Sequence, residues 1–339
     1  MVRFGIIGTG RISDWVLKGA AQDPRVKVTA VCSRTVEAAE AFVLRNPMAA
    51  GAKIYTSVEE MVSDPQVDAV YIGTPNQTHR EYTITSLKAG KHVLCEKPLA
   101  LNAAEGRQMV AAATQSGCLL MEAMVSTLNP NFIAVSSRIA EIAPVRQYSS
   151  YFCQYSSKFE ALKRGEVGTA FKPGTAGALR DVGVYTLYPM VALFGKPSTV
   201  KGHLGTFETP EGKTDVYGTA CLEYDGMDAT LTWSKTFDSF QPTEIAGENG
   251  NLILDEIHIA RKAEIVPHAA PTSGLGPKPG RTVICEGLPY NEYYYEFKEF
   301  ADLIEQGKKE SVHNSLATSL AVLEIMDELL CNQSKVCYL

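Results

Sequence analysis

Arg3-Phe4-Gly5-Ile6-Ile7-Gly8-Thr9-Gly10-Arg11-Ile12-Ser13 is the stretch that decides the fold. A short apolar run reads as a buried strand, and two glycines break it before an amphipathic stretch over 12–21. Gly8 permits a tight turn. Gly10 leaves room for a pyrophosphate against the backbone, where the start of the helix offers N–H donors and the positive end of its dipole. Ser13 stands where a third glycine is common, and so small a side chain still lets helix pack on strand. Gly-x-Gly-x-x-Ser alone is a weak signal. Set between a strand and a helix it predicts a dinucleotide site, with Gly8, Thr9, Gly10, Arg11 and Ile12 against the cofactor.

The same rhythm continues outward. Apolar strands are predicted over 26–32, 67–73, 92–95 and 119–123, and helices over 36–46, 57–62, 79–89 and 103–116. Continuous apolar strands separated by helices imply a parallel sheet covered on both faces. After about residue 145 the pattern changes to longer alternating strands, over 145–155, 199–207, 216–224, 228–237 and 252–260. Tyr224-Asp225-Gly226 and Glu248-Asn249-Gly250-Asn251 read as hairpin turns, and 181–194, 291–306 and 316–330 as helices. The expected architecture is an α/β Rossmann domain over 1–125 and an α+β domain over 126–339 with a large, mostly antiparallel open sheet. Its uncovered face would bind a second subunit, so a homodimer is expected, with a tetramer as the alternative. The Gly- and Pro-rich 267–279 reads as a surface loop.

Composition narrows the class of function. At 339 residues the chain exceeds what one core usually supports, in keeping with two domains. A net charge of -6 argues against nucleic acid, which needs a Lys/Arg surplus. No apolar run is long enough for a membrane span, and the N-terminal run is too short for a signal peptide. Eight scattered cysteines without a C-x-x-C pair fit packed, reduced thiols, and a cytoplasmic location is expected. No Cys/His spacing suits a metal site; His92 and Cys95 would face opposite ways on a strand.

The end of the second strand distinguishes the two nicotinamide cofactors. A carboxylate there would bind the ribose 2′-hydroxyl, whereas a cation accommodates a 2′-phosphate. The chain reads Val31-Cys32-Ser33-Arg34-Thr35, so Ser33 and Arg34 predict NADP(H), with NAD possible if Arg34 only stacks on the adenine. Two further loops follow strand ends: Gly73-Thr74-Pro75-Asn76 with His79, and Cys95-Glu96-Lys97-Pro98. A lysine held there beside a cofactor, partly desolvated, can exchange a substrate hydroxyl proton. His79 reads as a loop residue that shapes the cofactor pocket, Trp233 as packing, and the run from Tyr290 to Phe300 as core and subunit interface.

Gly8-x-Gly10-x-Ile12, Thr74-Pro75-Asn76, Ala89-Gly90-Lys91-His92-Val93, Glu96-Lys97-Pro98 and Gly177-Ala178-Leu179-Arg180-Asp181-Val182-Gly183-Val184-Tyr185 together resemble the glucose–fructose oxidoreductase/inositol dehydrogenase/MocA family. The resemblance implies that Lys97 is catalytic, with Asp181 and Tyr185 as its acid/base partners. Tyr185 stands where inositol dehydrogenases carry histidine, as in the dihydrodiol dehydrogenase and NADP-dependent xylose dehydrogenase branch, which Met121-Glu122-Ala123 also resembles. The implied activity is hydride transfer between NADP(H) and an aldopyranose or a trans-dihydrodiol. A keto-sugar reductase and a catalytically silent NADP sensor are the alternatives. From spacing alone, Asp181 and Tyr185 at i and i+4 would share one helix face, and the reading requires the Lys97 ammonium and the Tyr185 phenol to meet beside the nicotinamide.

Overall fold

The computed structural model describes residues 1–268 and 280–332. From 269 onward the loop expected over 267–279 lies outside the described residues, as does Cys337. Two compact units divide the chain: residues 1–128 with 289–323, and residues 129–288 with the chain from 324 onward. The expected second domain over 126–339 differs from this division at 289–323, which packs with the first unit. The reason is aromatic. Phe297 and Phe300 are fully buried and lie edge-on or tilted to Phe4 of the first strand, at 5.2 and 5.6 Å between ring centroids. Removing either ring from such a core would cost about 3–5 kcal/mol.

The first unit holds a six-stranded parallel sheet in the order β3-β2-β1-β4-β5-β6. Its strands are β1 (Val2–Ile7), β2 (Val26–Cys32), β3 (Lys53–Tyr55), β4 (Ala69–Ile72), β5 (His92–Glu96) and β6 (Leu120–Ala123). The helices between them are α1 (Arg11–Ala20), α2 (Val36–Arg45), α3 (Val58–Val62), α4 (His79–Lys88) and α5 (Ala103–Ser116). Thr35, Ser57 and Asn102 cap α2, α3 and α5 by accepting from the N–H three residues on, each worth about 1 kcal/mol. The strand order reverses between β1 and β4. That is the crevice where open α/β sheets take their ligands, and the loops after both strands open onto it. The three-residue β3 went unpredicted because it is too short to show a period.

Short helices α6 (Val125–Leu128), α7 (Pro130–Ser136), α8 (Ile139–Ile142) and α9 (Phe159–Lys163) precede and interrupt the second unit's sheet. That eight-stranded sheet runs β14-β13-β12-β11-β7-β10-β9-β8. Its members are β7 (Val145–Cys153), β8 (Thr199–Thr209), β9 (Gly212–Tyr224), β10 (Met227–Ser234), β11 (Thr243–Gly247), β12 (Gly250–Leu254), β13 (Lys262–Pro267) and β14 (Thr282–Glu286). All pairs are antiparallel except β7 with β10, which run parallel. The chain leaves β7, forms the β8–β10 meander, and docks the last strand beside β7 in the same direction. β11, β13 and β14 are short, five or six residues each, so alternation did not announce them. One face carries Leu222, Ala229, Leu231, Trp233 and Ile245, all buried, while Tyr217, Thr219 and Cys221 are exposed on the other. α10 (Val184–Phe194), α11 (Tyr294–Glu305) and α12 (Leu316–Asn332) complete the fold.

Candidate active site

The phosphate loop is shaped by backbone contact. Gly8 has φ +100°, and a Cβ there would lie 2.6 Å from the Gly73 carbonyl oxygen, so only glycine fits. Ser13 is buried and donates to the Gly8 carbonyl at 2.8 Å, which locks α1 onto the turn. Gly10 is the N-cap of α1, no side chain caps this end, and a Cβ on Gly10 would meet nothing within 4 Å. Unused N–H groups and open space at one helix end are what a pyrophosphate requires. Arg45, unforeseen from the sequence, donates to the Thr9 carbonyl at 2.8 Å and pairs with Asp14 at 2.9 Å, bracing the loop. Thr9 and Ser33 hydroxyls lie 3.0 Å apart, which joins this loop to the end of β2, where Arg34 is exposed. Arg11 is exposed with its guanidinium over Trp15, and Ile12 packs toward the core. These residues fit a dinucleotide.

His79 ties the next two loops together. It is fully buried, with Nδ1 2.9 Å from the Pro98 carbonyl oxygen and Nε2 2.9 Å from that of Thr74. Burial pushes the imidazole below its ordinary pKa, against the opposite pull of those carbonyls. A neutral ring donates to only one of the two carbonyls, and packs its other nitrogen against the second. The Thr78 hydroxyl lies 2.7 Å from the Thr74 hydroxyl and 2.8 Å from the Pro75 carbonyl oxygen, fixing the short turn that contains Asn76.

Around half-buried Lys97, whose bond to Pro98 is cis, the first unit gathers carboxyls that sequence reading treated singly or missed. Glu96 is buried; it accepts from the Tyr71 hydroxyl at 2.7 Å and from the Lys97 backbone N–H at 3.2 Å. Glu122 accepts from the Leu99 N–H at 2.9 Å, and burial raises its pKa to about 7. Burial, and then the charge of Glu96, push the Glu296 carboxyl on α11 well above the ordinary carboxylate range.

In the second unit the predicted helix face is built differently. Residues Leu179–Gly183 form a π turn that runs into α10, so Asp181 lies in the wide turn and Tyr185 in the α-helix proper. Between Gly177 and Val191 every residue is buried except these two. Two residues from the β9 and β10 strand ends hold the turn. Asp215, buried, accepts from the Leu179 N–H at 2.6 Å; a Cβ on Gly177, whose φ is +120°, would collide with its carboxylate. Lys235 donates to Asp181 Oδ2 at 2.5 Å. Trp233 fills the space beneath, 3.1 Å from where a Gly183 Cβ would lie, and is packing as expected. Tyr185 stands edge-on to Phe152 at 5.3 Å, and His258 stacks on the same ring at 4.3 Å.

Among the described residues no group of three or more His, Cys, Asp or Glu is placed to hold a metal, and no helix is long and apolar enough to cross a membrane. Residues 2–124 match the sequence profile of an oxidoreductase family with an NAD-binding Rossmann fold, and residues 140–253 match the C-terminal domain of the same GFO/IDH/MocA family. The chain belongs to the Gfo/Idh/MocA family. As a member it is an NAD(P)-dependent oxidoreductase. This Gfo/Idh/MocA chain is 39% identical to the scyllo-inositol 2-dehydrogenase (NADP(+)) IolU of Bacillus subtilis, over 97% of its own length and 96% of the relative's. It is 30% identical to the human trans-1,2-dihydrobenzene-1,2-diol dehydrogenase over 97% and 96% of the two chains. In fold it is similar to the aldose-aldose oxidoreductase of Caulobacter crescentus, with a TM-score of 0.81 at 20% identity over 98% of each chain.

Proposed function

We propose that this chain catalyses reversible NADP(H)-linked oxidation of a secondary or anomeric hydroxyl on a polyhydroxylated six-membered ring, the class that contains aldopyranoses, cyclitols and trans-dihydrodiols. The observation that carries the reading is the accessibility pattern of the π turn and α10. A carboxylate and a phenol are the only accessible side chains in an otherwise buried run. A carboxylate accepts from neighbouring hydroxyls, and a phenol both donates and accepts. The 39% identity to an NADP-dependent inositol dehydrogenase supports the substrate class and the cofactor.

Bound NADP would supply the hydride acceptor. Gly8, Thr9, Gly10, Arg11 and Ile12 hold its pyrophosphate, Ser33 and Arg34 its 2′-phosphate, and Thr74, Pro75, Asn76 and His79 shape the floor. Lys97, as the neutral amine, takes the hydroxyl proton and becomes the ammonium, and Glu96 anchors the Lys97 backbone. Tyr185 hydrogen-bonds the reacting oxygen, and Asp181 orients a neighbouring hydroxyl. The exposed face of the eight-stranded sheet, with Tyr217 and Thr219, is assigned to a homodimer, which light scattering would test.

The deciding experiment presents the purified protein with NADP+ and scyllo-inositol, myo-inositol, D-xylose, D-glucose and a trans-dihydrodiol, following NADPH absorbance. Turnover of at least one is expected, with NADP preferred over NAD. Tight NADP binding without turnover of any would replace the enzyme with a sensor.

A further inference from the structure

Lys235 is the most deeply buried cation of the second unit's site, its side chain 4% exposed against 44% for Asp181. Three features fix its ammonium: the bond to Asp181 Oδ2 at 2.5 Å, a bond to the Ala170 carbonyl at 3.0 Å, and the ring of buried Phe171 at 4.4 Å. The stem is fixed too, because the Lys235 N–H extends the β9–β10 ladder to the Val216 carbonyl at 2.9 Å. An ammonium with three donors, each directed at a partner or a ring face, has one orientation. Asp215 precedes Val216, the residue that pairs with Lys235, and grips the Leu179 N–H. The paired strands β9 and β10 therefore hold the π turn twice, by the Asp215 carboxyl at its first residue and by the Lys235 ammonium at Asp181.

We propose that Lys235 is a positioning residue for the reaction: it orients the Asp181 carboxylate toward the substrate hydroxyls. The proposal rests on the role given above to Asp181. A lysine kept only for stability would be a poor choice here. Desolvating an ion pair often costs as much as the pairing returns, and an apolar side chain would fill the same space. Asp181, at the accessible end of the pair, is where a substrate gains from the arrangement.

The test compares Lys235→Met, Asp181→Asn and the double variant, using whichever of the five ring compounds above turns over best. Lys235→Met should lower kcat/KM for that compound by about 10–100-fold, as expected when a contact is misaligned. The dissociation constant for NADP(H) should stay within about twofold. Asp181→Asn should lose at least as much, and the double variant no more than Asp181→Asn alone, because both act through one carboxylate. Lys235→Arg should recover part of the loss. Lys235→Met at full activity beside an impaired Asp181→Asn would overturn the positioning role and leave the Asp181 reading standing. A fully active Asp181→Asn would overturn both. Should Lys235→Met not fold, the melting temperature of Asp181→Asn decides: a clear drop is expected, because a buried ammonium has lost its counter-charge. An unchanged value would overturn the pairing.

Discussion

The two sides of the proposed chemistry are built by different physics. In the first unit the cofactor loops are held on backbone carbonyls, with Gly8 against Gly73, Ser13 on Gly8 and His79 between Thr74 and Pro98, and the Arg45–Asp14 pair braces the first loop. Buried carboxyls there, Glu122 and Glu296, are kept toward their neutral forms. In the second unit the working turn is held by polar side chains, Asp215 and Lys235, contributed from 36 and 54 residues away in sequence, and burial raises the pKa of the Asp215 carboxyl as well. Backbone cradles suit a ligand whose phosphates are always the same. Polar side chains fix a carboxylate that must accept hydroxyls in one geometry, and they can be exchanged without rebuilding the fold. On the proposed function, the first unit would fix the cofactor and the second would set what is oxidised.

The sharpest way to break this comparison is Lys97→Met. Loss of the proton acceptor should cost about 10²–10⁴-fold in kcat while NADP binding persists. Parallel loss of NADP affinity in a titration would make Lys97 part of the cradle instead.

Glu122→Gln sharpens the contrast in buried acids. The Glu122 carboxyl has its folded pKa raised to about 7, so the native state binds a proton that the unfolded chain has released above its ordinary 4.5. Its contribution is therefore fully present below about pH 4.5 and is lost as pH rises to about 7. The sum reaches about 3 kcal/mol at most. Glutamine keeps the acceptor for the Leu99 N–H. The variant should thus gain on wild type in melting temperature as pH rises from 5 to about 7; parallel curves would show that Glu122 is ionised throughout.

The glycines separate folding from binding within one loop. Gly8→Ala should cost about 1–3 kcal/mol of stability because it strains φ and meets the Gly73 carbonyl. Gly10→Ala, with open space around its Cβ, should melt like wild type yet bind NADP weakly. Equal melting losses for the two would remove the argument that Gly10 is reserved for a ligand.

The smallest effect falls at Arg34. Arg34→Ala should raise KM for NADP by about tenfold, the weight of one charge-assisted bond, and leave KM for NAD nearly unchanged. An equal rise for both would leave the guanidinium a role at the adenine only.

The same contrast explains what the sequence made legible. The Rossmann order and the phosphate loop were readable because local rules set them: glycines at a strand end and apolar runs at strand spacing. Asp181 and Tyr185 were readable as residues, but their expected i, i+4 helix was not the observed π turn, whose cause lies in Asp215, Trp233 and Lys235. Lys235 did leave a trace. It keeps the inward parity of Ala229, Leu231 and Trp233, so a lysine was due on the buried face. Asp215 left none, because it breaks the alternation of β9. Arg45 likewise looks like any exposed helix cation until Thr9 is folded against it.

The most direct test of the division between the units is Tyr185→Phe, measured by NADPH titration and by steady-state turnover on the same preparation. The account predicts an unchanged dissociation constant for NADPH and a kcat lowered by about 10²-fold or more. Turnover at the wild-type rate, or a loss that tracks weakened NADPH binding, would contradict it.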